Sequence, residues 1–386
     1  MVRAEVLSKF KIILQKRDGT GSYILFDPAK ENASIVESIN YTGTIDTPVV
    51  DASLIVRDVG SNFISNGDKV YLVGPIPTFE GTEKQQEIHV FYVLERVNNS
   101  ERANVTFELR NGAHWITSSL YWLKLEFNES VSQFIKRTTR SHDVPVSSIV
   151  RIPFQPSPEL FQNTTLHDAW VKVLAMATID TGISYRIRWD SVGLVVEEVL
   201  VPRRAWWFEI DEASSRNNMI RTIRTQSILD SSFLNELVGV IPPGNSAVAS
   251  DDAEESLDVV RTVVATNANS VRKFGLFRKQ VNVSTWGDTQ EINRRLKFML
   301  EDGSEKDTVA FETLALNNII PMDRIYISHK QLDILGQYYV TSVKTTIDYS
   351  GFLTRISCKR RIGVSQSVKD QMNKSDNTPD AIHGDG

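Results

Sequence analysis

Along the first third of the chain, short apolar or alternating runs are separated by turn residues, which is the two-residue period of half-buried strands. The runs at residues 10–14 and 23–26 flank Arg17-Asp18-Gly19-Thr20-Gly21, whose Asp-Gly pair predicts a hairpin. Further strands are predicted at 53–57, 69–73, 88–97 and 104–109, parted by Asn66-Gly67-Asp68, by the turn-rich stretch 75–81 and by Asn98-Asn99-Ser100. Many short strands in succession predict a sandwich or barrel.

The period changes near residue 129. Ser130-Val131-Ser132-Gln133 has the form of a capping box, and Val131, Phe134 and Ile135 then share one helical face, so a helix is predicted to about His142. Thr165-Leu166-His167-Asp168 caps a second helix, in which Leu166, Ala169, Trp170, Val173, Leu174 and Ala177 recur at helical spacing before Gly182. Residues 184–189 and 194–199 alternate around Asp190-Ser191-Val192-Gly193, a hairpin expected to pack on those helices. Residues 129–203 therefore read as a small α/β unit.

Strand patterns resume at 205–210 and 219–225 and then meet the acidic, turn-rich segment 242–255, read as an exposed loop. Asp288-Thr289-Gln290-Glu291 caps a third helix bearing Ile292, Leu296, Met299 and Leu300 on one side, ended by Gly303. The last strands fall between Val309 and Lys359, and the polar tail 363–386 is not expected to fold alone.

The closing strands echo the opening ones. Gly67-Asp68-Lys69-Val70-Tyr71-Leu72-Val73 leads to Phe91-Tyr92-Val93 and then to Val105-Thr106-Phe107-Glu108-Leu109-Arg110. Met322-Asp323-Arg324-Ile325-Tyr326-Ile327 leads to Tyr338-Tyr339-Val340 and then to Leu353-Thr354-Arg355-Ile356-Ser357-Cys358-Lys359. Each copy is a turn carrying Asp, a strand with an apolar face, a strand bearing two aromatics and a closing strand of alternating character. Two copies predict two similar barrels.

Composition narrows the chemistry. The 386 residues carry 43 Lys+Arg against 48 Asp+Glu, a net charge of −5, with no long basic block, which disfavours a role built on phosphate-backbone neutralisation. A single Cys358 excludes an internal disulfide and a zinc site built of several thiolates. Ile12-Ile13-Leu14 is the longest early apolar run, far short of a signal-peptide core or membrane span, so a soluble chain made in the cytosol is expected.

The candidate catalytic groups are weak. His142-Asp143 and His167-Asp168 are sequence neighbours, which rarely reach the geometry in which a carboxylate orients an imidazole. Asp251-Asp252-Ala253-Glu254-Glu255 lacks the alternating ligands and central glycine of a calcium loop, and Gly19-Thr20-Gly21 precedes no helix that could cradle a phosphate. Arg203-Arg204-Ala205-Trp206-Trp207 mixes cations with aromatics, as single-strand nucleic-acid and sugar platforms do, but fits a barrel strand or subunit contact better. Lys359-Arg360-Arg361 reads as a solvated strand end. No metal, cofactor or catalytic residue is assigned.

The order barrel, α/β insert, β stretch, helix and repeated barrel resembles the central hub proteins of phage tail baseplates, the family of late-control tail proteins and contractile-injection hubs. Three stretches carry the likeness: Ser270 with Val271-Arg272-Lys273-Phe274-Gly275-Leu276-Phe277, similar to a family segment S-I-x-x-Y-G with Phe for Tyr; the helix 289–300; and residues 318–327 leading into Tyr338-Tyr339-Val340-Thr341-Ser342-Val343, with Met322 where the family has Gly. The fold class it implies is mainly β with an α+β insert: two tube-type antiparallel barrels plus a small α/β domain. The expected division is a first barrel at 1–128, an insert at 129–203 packed with 246–305, a second barrel from 204–245 and 306–362, and a tail at 363–386.

The resemblance further implies a structural virion protein rather than an enzyme. Its homotrimer would present six barrels around an axial channel, matching a six-fold tail tube to a three-fold spike. Expected partners are other copies of itself, tube-side proteins, the spike and other baseplate components, with no membrane, and DNA only in passage. Trp206, Trp207, Phe274 and Phe277 are the candidate interface residues. The alternative reading is a glycan-binding or glycan-degrading tail component, resting on Trp170, Trp189, Trp206 and Trp207; a single-stranded nucleic-acid binder is the third.

Overall fold

The computed structural model describes residues 10–27, 35–57, 63–77, 83–99, 104–199, 206–210, 220–228, 233–241, 261–283, 289–302, 306–314, 319–329, 334–348 and 351–360. These residues are mostly β, arranged around a large, curled antiparallel half-barrel sheet. The N-terminal part supplies β1 (Lys11–Gln15), β2 (Ser22–Phe26), β3 (Val36–Thr44), β4 (Thr47–Arg57), β5 (Lys69–Pro77), β6 (Glu83–Asn99) and β7 (Asn104–Asn111). The C-terminal part supplies β18 (Lys306–Leu314), β19 (Arg324–His329), β20 (Ile334–Asp348) and β21 (Gly351–Lys359). To these it adds β13 (Trp206–Ile210) and β14 (Ile220–Ile228) from earlier in the chain.

Among the described residues, these 13 strands form one sheet in which each half has the same strand order. The first half runs β3-β4-β7-β6-β5-β1, and the second runs β14-β18-β21-β20-β19-β13. The halves differ at the last pair, since β1 meets β5 antiparallel whereas β13 meets β19 parallel. They are joined by β20, whose residues from Ser342 to Asp348 pair with β3 in the register Ser342 opposite Thr44 and Asp348 opposite Ser38. This seam is an apolar weld: Ile347 and Phe352 are buried in the first half's core, and the Phe352 ring stacks on Phe10 at 4.9 Å. Along it, the Thr346 hydroxyl donates to Asn40 Oδ1 at 2.7 Å.

Between the halves lie α1 (Ala113–Ser118), β8 (Leu120–Leu125), α2 (Val131–Ser141), β9 (Val146–Ile149), β10 (Glu159–Thr165), α3 (Leu166–Thr181), β11 (Tyr185–Trp189) and β12 (Leu194–Glu198). The α2 capping box forms as expected: the Ser130 hydroxyl accepts from the Gln133 amide and the Gln133 side chain accepts from the Ser130 amide. Thr165 caps α3, and Gly182 ends it at φ 70°, a left-handed conformation that glycine adopts without penalty. Phe134, Ile135, Leu166, Trp170 and Val173 bury between the two helices and the strands. The hairpin β11–β12 forms as expected, with β9 added parallel to β12. Strand β8 pairs with β10, so its Leu123 and Leu125 belong to this core rather than to the large sheet.

A second small layer holds β15 (Glu236–Ile241), β16 (Arg261–Thr266), α4 (Ala268–Phe274), β17 (Arg278–Asn282) and α5 (Thr289–Asp302). Of the stretch 204–245 expected in the closing barrel, β13 and β14 pair there with β19 and β18, whereas β15 takes β16 and β17 as its ladder partners. The reason is burial on both faces: Leu237 and Val238 are covered, and Leu237 packs with Ile292, Leu296 and Leu300 of α5. Arg294 of α5 donates to the Asp180 carbonyl at 3.3 Å, which sets this layer against α3. The expected acidic loop 242–255, Asp288, Gly303 and the tail 363–386 lie outside the described residues.

Candidate interaction surfaces

The duplicated meander is built on a duplicated turn. At Gly67 the backbone has φ 87° and at Met322 it has φ 73°. The Gly67 amide donates to the Val93 carbonyl and the Met322 amide to the Val340 carbonyl, both at 2.7 Å. In return Val93 N donates to Asp68 O and Val340 N to Asp323 O, both at 2.9 Å. The Asp side chain then closes the turn on itself: Asp68 Oδ2 accepts from Ser65 N at 2.9 Å, and Asp323 Oδ2 accepts from Ile320 N at 3.1 Å. Immediately beyond, each aromatic strand is bulged at the same place, between Val93 and Glu95 in β6 and between Val340 and Ser342 in β20. A chance likeness of two meanders would not reproduce backbone bonds, a left-handed residue and a bulge together.

What differs is the cation that engages each Asp. Lys16, the residue after β1, places its Nζ 2.6 Å from Asp68, and the Arg17 amide donates to the same carboxylate at 2.9 Å. Asp323 faces Arg186 of β11 at 3.5 Å, while Arg186 also donates to the Pro321 carbonyl at 2.9 Å and pairs with Glu197 at 2.6 Å. The insert hairpin therefore clamps the second turn as Lys16 and Arg17, just after β1, clamp the first. Burial pushes the Asp323 carboxyl above its ordinary value, with Arg186 opposing only in part. For Asp68, burial also pushes upward, but the bonds from Lys16 and the Arg17 and Ser65 amides outweigh it, and the carboxyl lies below its ordinary value.

Of the four expected interface residues, the structure joins two. Phe274 and Phe277 both meet the buried Phe233 ring edge-on, at 5.6 Å and 5.0 Å, with Phe277 still 44% exposed. Asn235, fully buried, shapes the turn between them: its Nδ2 donates to Gly275 O at 2.6 Å and its Oδ1 accepts from Phe277 N at 2.7 Å. Gly275 has φ 82°, which explains why this segment carries glycine there. Trp206 and Trp207 belong instead to the large sheet, opposite Ile325 and Tyr326 of β19.

An apolar face that the sequence reading did not single out lies on the two-stranded sheet β8–β10. Leu120, Trp122 and Leu160 are 64%, 67% and 51% exposed, and Phe127 just beyond β8 is 77% exposed. The run Leu120-Tyr121-Trp122-Leu123-Lys124-Leu125 resembles a fully buried strand, yet only Tyr121, Leu123 and Leu125 face the core. Trp170, counted above among aromatics available to stack on a sugar, is instead completely buried and donates its indole N–H to Thr138 Oγ1 at 2.9 Å. Trp189 is packed against Gly112.

Nothing among these groups makes an acid–base constellation. His167 Nδ1 lies 3.4 Å from Asp168 Oδ1 at the first turn of α3, and His142 follows the end of α2 with its ring against Tyr121. His89 is enclosed by the rings of Tyr41 and Phe91, and burial lowers its pKa to about 4, so it is neutral at pH 7. Arg360, expected to be a solvated strand end, donates to the Leu335 carbonyl at 3.0 Å and lies over the Tyr338 ring. Among the described residues no cluster of His, Cys, Asp and Glu could hold a metal ion. No helix among them is long and apolar enough to cross a membrane.

Solved structures share this fold across nearly the whole chain. The tail protein from Neisseria meningitidis MC58 superposes with a TM-score of 0.64 at 12% identity, covering 93% of this chain and 99% of that one. A 43 kDa tail protein of prophage MuSo2 from Shewanella oneidensis gives 0.63 at 11% identity, covering 91% and 98%. Prophage tail protein gp18 from Listeria monocytogenes EGD-e gives 0.51 at 14% identity, covering 94% and 98%. At such identities the likeness is one of fold, and it agrees with the phage-tail resemblance carried by the sequence. No curated protein matches the sequence. A model of the family described as YQBQ-like matches residues 50–354, well over half of the chain, and the protein belongs to that family.

Proposed function

We propose that the protein is the structural hub of a phage tail baseplate, a homotrimer whose three chains present six tube-type units around an axial channel. The observation that carries this reading is the shared strand order of the two half-sheets, each opening its meander on the same turn. Two equivalent surfaces per chain are what an adaptor between six-fold and three-fold partners requires, because closed symmetry fixes the number of repeated faces. In this role the ring meets the six-fold tail tube on one side and a three-fold spike on the other. The first unit is built on β3 to β7 and the second on β14 and β18 to β21.

The work of such a protein is done by surfaces, not by catalysis, and its place is the virion. The net charge of −5 suits a lumen that DNA passes without being held. The exposed face of Leu120, Trp122 and Leu160 and the Phe274–Phe277 cluster are apolar surfaces available for other baseplate components. Mass photometry of the purified protein, alone and with its spike, tests the reading: a particle of three chain masses is expected, and a monomer under both conditions would sink it.

A further inference from the structure

The chain contains one finished junction between its two repeats, and that junction specifies an unfinished one. Within the chain, the second half of β20 pairs with β3. The repeat counterpart of β20 is β6, and the counterpart of β3 is β14. Among the described residues β6 is flanked by β5 and β7, and β14 stands at the end of the sheet.

The ladders fix the correspondence residue by residue. Residues Glu95 to Asn99 face Glu108 to Asn104 of β7 as Ser342 to Thr346 face Ser357 to Leu353 of β21. On the other strand, Ile39 stands opposite Leu54, itself opposite Phe107, while Ile223 stands opposite Phe311, itself opposite Ile356. Ile39 therefore corresponds to Ile223, and Thr44 to Ile228.

We propose that residues 95–99 of β6 add as a strand to β14 of a second copy of this chain. The pairing is antiparallel, with Glu95 opposite Ile228, Arg96 opposite Ser227, Val97 opposite Gln226, Asn98 opposite Thr225 and Asn99 opposite Arg224. The inference rests on the trimeric ring proposed above and says what closes it. Each chain brings one internal seam and contributes β6 to one external seam and β14 to another, so the contact is head-to-tail and closes into a ring.

The residue types suit the two kinds of seam. Inside the chain the covered positions are Val343, Thr345 and Ile347, all at or below 5% exposure. At the counterparts of the first two, β6 carries Arg96 and Asn98, whose side chains bond to each other at 3.0 Å in an exposed position. A seam that must wait for another chain is thus guarded by polar groups, which discourage promiscuous edge pairing before assembly.

The test uses the full-length protein carrying Val97→Cys with Gln226→Cys, and a register-shifted control carrying Val97→Cys with Arg224→Cys. The native Cys358 is 1% exposed and stays out of the chemistry. Mild oxidation should convert the first variant into covalent trimers on a non-reducing gel and leave the control as single chains. Hydrogen exchange on the unsubstituted protein reads the same seam without a cysteine: slowed exchange at 95–99 and at 224–228 on assembly is expected. A trimer by mass that neither cross-links at 97–226 nor gains that protection overturns the seam while leaving the ring intact. A protein that remains monomeric overturns both.

Discussion

Asp68→Asn attacks the turn on which the first repeat is built, and the cost can be worked from its contacts. Asp68 is 1% exposed; its Oδ2 accepts from Ser65 N at 2.9 Å and Lys16 Nζ at 2.6 Å, and its Oδ1 accepts from Arg17 N at 2.9 Å. An amide preserves one acceptor and turns the other into a donor facing donors. The lost charge-assisted bond costs about 2 kcal/mol and the unmet buried amide about 1 kcal/mol more, so stability should fall by about 3 kcal/mol. Urea unfolding should show a lower midpoint with an unchanged slope. A loss below about 1 kcal/mol would refute the view that this carboxylate holds the turn.

The pH dependence sharpens this test, because the two turns have opposite signs. The folded Asp68 carboxyl lies below its ordinary value, so its contribution is fully present above the unfolded value, about 4, and is lost as the pH falls through the folded one. The folded Asp323 carboxyl lies above its ordinary value, so its contribution is present at low pH and is lost as the pH rises through the folded value. Asp68→Asn should therefore matter less on acidification below about pH 4, and Asp323→Asn should matter less as the pH rises above it. The same trend in both variants would contradict the assignment.

Other substitutions probe single features. Met322→Gly places the permissive residue at φ 73° and should stabilise by about 1 kcal/mol, seen as a higher melting temperature. Trp170→Phe removes the buried bond to Thr138 and should cost about 2 kcal/mol in denaturant unfolding, with the fold retained. Gly112→Ala would place its Cβ 2.6 Å from the Trp189 ring and should cost about 1–3 kcal/mol, with a shift in tryptophan emission.

The elements most legible in the sequence were those with local chemistry. Ser130, Gln133, Thr165 and Gly182 mark the ends of α2 and α3 because caps are short-range bonds. The repeat was legible because its turn must place Asp after a left-handed residue in both copies. Strand β3 was missed because a register shift between Val36 and Ser38 breaks its alternation. Strand β15 was not recognised because it is buried on both faces, and its partners β16 and β17 lie some way along the chain, where local pattern carries no information on pairing. The β20–β3 seam, between strands nearly a chain length apart, was invisible for the same reason. The Leu120–Trp122 face was hidden because an apolar strand reads as core whichever side it presents.

The central claim is that one chain supplies two equivalent tube units to a three-chain ring. Electron-microscopic averages of the purified assembly viewed down its axis test it most directly. Six wall densities around an open centre, in a particle of three chain masses, are the expected result. A single-chain particle, or a ring whose wall densities equal the number of chains rather than twice that number, would contradict it.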